Sequence, residues 1–92
     1  MVVVALRDNV AKRFLDVQFC INDEVACRGF VNAVLSSRGD KQSLLGSNPE
    51  DISLWHLCDY SDIEGVFDNQ DHFVLMSAMG VLSEVDYESD GE

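Results

Sequence analysis

His56, Cys58 and His72 are the side chains best suited to hold a metal, because imidazole and thiolate are the usual ligands of zinc. His-x-Cys with one distant His supplies no fourth ligand and none of the short spacings of a zinc ribbon, so these residues are expected as core or edge side chains. A calcium loop needs oxygen ligands at its first, third and fifth positions, Gly at the sixth and Glu at the twelfth. Asp62, Glu64 and Gly65 fit that pattern, but Tyr60 stands at the first position and Asp71 at the last, which leaves an acidic hairpin turn. There is no Gly-x-Ser-x-Gly, no phosphate-binding loop and no paired catalytic set. The expectation is a protein without enzymatic activity, cofactor or metal.

Two further sets of residues suit binding. Arg7, Lys12 and Arg13, with Phe14 adjacent, combine positive charge with a ring, the pairing that single-stranded nucleic acid requires of its binders. Asp62, Glu64, Asp68 and Asp71 form an acidic counterpart suited to a basic protein. The overall charge favours the second set. Its formal value is −11, and it is unevenly spread. Residues 1–41 hold all six bases, Arg7, Lys12, Arg13, Arg28, Arg38 and Lys41, against the five acids Asp8, Asp16, Asp23, Glu24 and Asp40. Residues 42–92 hold the other twelve of the seventeen acids and no base. Such a polyanion repels nucleic acid at long range and attracts basic partners. The expected partner is therefore a basic protein. Direct binding of single-stranded DNA and self-association are the alternatives.

These residues need a scaffold, and 92 residues suffice for one core. A β-branched run over residues 2–6 and an alternating stretch over 14–21 predict two strands of a hairpin around the Arg7-Asp8-Asn9 cluster. Asn22 is an N-cap, Asp23 and Glu24 suit the positive end of a helix dipole, and Ala26, Phe30, Ala33 and Val34 make one apolar stripe. The spacing predicts a helix over 23–37, stopped at Arg38 and Gly39, with an i,i+4 pair between Glu24 and Arg28. Residues 38–48 read as a loop. Residues 52–60 read as a strand, 61–65 as a turn, 66–67 as a short returning strand, and 72–78 as a further apolar stretch, strand in preference to helix. The tail from Glu84 is too polar to pack. The fold expected is α+β: an N-terminal β-hairpin, one central helix and a small C-terminal antiparallel β unit, as one domain over 1–83 with a disordered acidic tail over 84–92.

The apolar start, Met1 to Leu6, is too short for a signal-peptide core or a membrane span, so no membrane association is expected. Cys20, Cys27 and Cys58 are odd in number and lack CxxC spacing, which fits reduced thiols in a cytoplasm.

The segment Asn22-Asp23-x-x-Ala26-x-Arg28-x-Phe30, then Pro49-Glu50-Asp51-x-x-Leu54-x-x-Leu57, then Tyr60-x-Asp62 and Gly65, resembles the small non-structural proteins of gokushoviruses, single-stranded DNA phages of the microvirus family. The likeness runs over residues 2–82. It implies a protein of the infected bacterium's cytoplasm, absent from the mature virion, with a part in phage DNA replication or its switch to packaging. No catalytic residue comes with it.

Overall fold

The computed structural model describes the backbone of residues 1–90 and the side chains of all but 69–71 and 85–90. Strands β1 (Val2–Asp8) and β2 (Arg13–Cys20) form the expected hairpin. Asp8 shapes its turn: one carboxylate oxygen accepts from the amides of Val10 and Ala11, at 3.0 and 3.1 Å. Helix α1 (Asp23–Ser36) begins where the sequence places it, with the Asn22 side chain accepting from the Val25 amide at 2.8 Å. It ends at Ser37, and Gly39 then takes φ +78°, a left-handed conformation that costs a residue without Cβ nothing. Arg28 pairs with Glu24 at 3.4 Å as the spacing predicts, but both side chains are exposed and the pair adds little stability.

Several features differ from expectation. The loop over 38–48 contains a one-turn helix α2 (Leu44–Ser47), folded so tightly that a Cβ on Gly46 would collide with the carbonyl oxygens of Ser37 and Asp40. A 3-10 turn (Pro49–Asp51) leads into β3 (Ile52–Ser61). β4 (Val66–Ser77) is one long strand, where the sequence suggested two pieces parted by a polar gap. Helix α3 (Ala78–Asp90) follows directly, started by Ser77, whose hydroxyl accepts from the Gly80 amide at 3.0 Å. Its backbone continues through 84–90, which the sequence assigned to a disordered tail; residues 91 and 92 lie outside the described residues.

The hairpin and the C-terminal strands are not separate units. β1 pairs with β3, giving one antiparallel sheet in the order β2-β1-β3-β4. Side chains alternate across a strand, so each strand serves two faces. On one face Val4, Ile52 and Leu54 pack with Ala26, Phe30 and Val34 of α1 and with Ala78 and Val81 of α3. Ala33, the fourth member of the predicted stripe, is exposed at the edge of this packing. Among the described residues, the core anchors of α3 are Ala78 and Val81 in its first two turns, with Leu82 partly buried behind them. Deleting residues 84–92 should leave the thermal midpoint nearly unchanged, since the segment carries five acids and little apolar surface. A fall of more than a few degrees in a calorimetric scan of the truncated chain would show that the end of α3 is part of the core.

Candidate functional site

Among the described residues the second face of the sheet carries no helix, and most of the aromatic side chains lie there in two groups. Alternation explains the placement. With Leu54 and His56 turned to the helices, Trp55 points the other way, and Phe14 and Phe19 do so from β2. In the first group, Phe14 meets Trp55 edge-on at 5.8 Å and His72 at 5.7 Å, and Trp55 lies 5.8 Å from His72. The Arg7 guanidinium sits over the Phe14 ring, 4.8 Å from its centre. In the second group, Phe19, Tyr60 and Phe67 stand 4.8 to 6.1 Å apart. Phe19 and Phe67 are each about half exposed, at 49% and 52%. Between the groups, Val3 and Ala5 are buried beside their cross-strand partners Phe19 and Trp55.

Charge follows the same axis. The register sets Asp8 beside Arg13 and Ile52 at one end of the sheet, and Val2 beside Cys20 and Asp59 at the other. The β1–β2 turn with Arg7, Lys12, Arg13 and Phe14 therefore lies at one end, bringing together all four residues of the basic set. Lys12 itself occupies the left-handed region at φ +58°. The β3–β4 turn with Asp62 and Glu64 lies at the opposite end, and Asp68 pairs there with Asp59. The side chain of Asp71, the fourth acid of the predicted set, lies outside the described residues. Asp59 was missed by the sequence reading because only the β3–β4 pairing brings it beside Asp68. Met1, Ile21, Tyr60 and Phe67 join Asp59, Glu64 and Asp68 around an open depression of about 510 Å³ at this acidic end.

On the helix face His56 is 4% exposed and lies between two carboxylates. Its Nδ1–H donates to Asp23 Oδ1 at 2.7 Å, its ring stacks on Phe73 with centres 4.7 Å apart, and Nε2 is 3.1 Å from Asp59 Oδ1 without hydrogen-bond alignment. An Asp–His pair is half of a nucleophilic triad. Here the nitrogen that would take a proton from the nucleophile faces a carboxylate instead of a hydroxyl or thiol, and substrate has no access to the buried ring. The pair is better suited to pinning the N-terminus of α1 to β3. Burial, reinforced by the Asp23 carboxylate, pushes the Cys27 thiol up from its ordinary value.

His56 and His72 point to opposite faces of the sheet, so His56, Cys58 and His72 do not converge. Among the described residues there is no group of three His, Cys, Asp or Glu side chains placed to hold a metal ion, and no helix long and apolar enough to cross a membrane. Residues 60–71 form a hairpin with Gly65 at φ +70° in its turn, not a cation-binding loop.

A family model described as Phage ORF5 protein matches residues 1–81. No curated protein and no solved structure matches the chain.

Proposed function

The chain belongs to the Phage ORF5 protein family and is thus a phage protein, and from that premise we propose that it is a non-enzymatic, non-structural protein of gokushovirus type that docks a basic viral or host protein at the acidic end of its sheet. The partner belongs to single-stranded DNA replication or to its switch to packaging, and the encounter takes place in the host cytoplasm, apart from the mature virion. The observation that carries this proposal is the depression at that end where half-exposed Phe67, and Ile21 at 74% exposure, meet Asp59, Glu64 and Asp68, with Phe19 packed on Phe67 and Asp62 in the adjoining turn. Protein interfaces join an aromatic, desolvated centre to a polar rim, and a rim of one sign steers an oppositely charged partner into contact. The likeness of Asn22–Phe30, Pro49–Leu57 and Tyr60–Gly65 to gokushovirus proteins supports the biological setting.

Association of the pure chain with each purified basic protein of the same phage, followed by surface-based kinetics at two ionic strengths, tests the proposal. The on-rate should fall about tenfold or more as salt rises, and Asp62→Lys with Glu64→Lys should lower it by a similar factor while changing the off-rate much less. An on-rate indifferent to both salt and charge reversal would remove the acidic end from the interaction.

A further inference from the structure

At the other end of the same face, we propose a separate site, built from Arg7, Phe14, Trp55 and His72, that stacks the bases of single-stranded nucleic acid, with Lys12 and Arg13 meeting its phosphates. It rests on the ring geometry and is independent of the protein-docking proposal. All four strands supply its parts: Arg7 from β1, Phe14 from β2, Trp55 from β3 and His72 from β4. Single-strand binders present aromatic rings or guanidinium planes on an open sheet, each offering a surface on which any base can lie, and set cations nearby for the backbone.

The site is held in place before any ligand arrives. The Trp55 indole N–H donates to Ser53 Oγ at 2.8 Å, and Ser53 is itself buried, so the indole is tied to its own strand. Phe14 and His72 stand against it with interplanar angles of 86° between Phe14 and Trp55 and 57° between Trp55 and His72. These mutually inclined rings are partly open to solvent: Phe14 and Trp55 are half-buried and His72 is exposed. Arg7 already lies over Phe14 and adds a planar cation to the platform. A ligand therefore meets ordered rings and loses little side-chain entropy in binding them.

The net charge of −11 opposes this at first sight. Distance weakens the objection. β1 has seven residues, so its two ends stand roughly 20 Å apart at about 3.3 Å per residue, beyond twice the Debye length of ~8 Å at physiological salt. The acids at the β3–β4 turn are screened from a strand lying on the basic end. Asp8, the acid of the β1–β2 turn, points one carboxylate oxygen at the Val10 and Ala11 amides, whose partial positive charge offsets part of its own.

Trp55 is the one tryptophan of the chain, so its fluorescence reports on this site alone. Titration of the 92-residue protein with a short oligothymidylate should quench that fluorescence to saturation, and duplex DNA of equal length should not. Trp55→Ala should weaken binding, read by anisotropy of a labelled oligonucleotide, by about 10- to 100-fold, and Trp55→Phe should keep most of it. Lys12→Gln with Arg13→Gln should flatten the dependence of log affinity on log salt by roughly 1.4. Circular dichroism of each variant separates lost binding from lost fold. An unquenched Trp55, equal affinity for duplex, or full binding by folded Trp55→Ala would each overturn the site.

Discussion

Phe30→Ala should destabilise the protein by about 3 to 5 kcal/mol, the range for truncating a buried aromatic side chain. Phe30 is 4% exposed and stands in the middle of the apolar stripe of α1, where it meets both the sheet and the cluster that anchors α3. Its removal deletes the transfer free energy of a ring and leaves a void whose walls belong to three elements, so no single shift can refill it. A marginally stable domain of this size has only about 5 to 10 kcal/mol in total, and the variant should sit near the edge of folding at 37 °C. Lys41→Ala, on the exposed loop, should change stability by less than about 0.5 kcal/mol. Urea denaturation of the two variants beside the parent chain checks both values. Equal midpoints for Phe30→Ala and the parent would overturn the register of α1 on the sheet.

His56→Ala should cost about 3 kcal/mol, combining the loss of a buried ring with the loss of a hydrogen bond to a charged acceptor. The ring is sealed between α1, β3 and Phe73, and its bond to Asp23 spans 33 residues of sequence. Asp23→Ala should cost less than His56→Ala, because the Asp23 side chain is 38% exposed and its removal leaves no cavity. It still leaves Nδ1–H buried without its acceptor. The double variant should then be less destabilised than the sum of the singles, by about 1 kcal/mol or more, as contacting residues require. Strict additivity in a thermodynamic cycle would show that the 2.7 Å contact carries no coupling.

Local chemistry made the first half of the fold legible. The β-branched start, the Asn22 cap and the stripe of Ala26, Phe30 and Val34 each act within a few residues, and β1, β2 and α1 follow from them. What escaped was non-local. Pairing of β1 with β3 is written in no short segment, and it turns two expected units into one sheet. β4 was divided because Asn69-Gln70-Asp71 breaks the apolar pattern, although the Asn69 backbone pairs with Cys58 in the ladder. The start of α3 had a readable signal in Ser77, three residues ahead of the Gly80 amide that it caps. Local charge likewise marked Arg7, Lys12, Arg13 and Phe14, while Trp55 and His72 joined them only through tertiary pairing. Strict alternation along β3 could have exposed Trp55, since Leu54 and His56 on either side of it are buried.

The position of β1 between β2 and β3 also bears on how the chain folds. As a ribosome releases it, the β1–β2 hairpin and α1 can form from local contacts. The centre of the sheet must wait for Ile52–Ser61 and then Val66–Ser77. Closing that separation costs loop entropy before any contact compensates it, so pairing of the chain's first strand with its third is the slow kind of contact to form. Until then a two-stranded ribbon, marginal by itself, exposes Phe14, Val17 and Phe19 to water. The aromatic face that equips the finished protein for binding is thus also its surface most open to misassociation during synthesis.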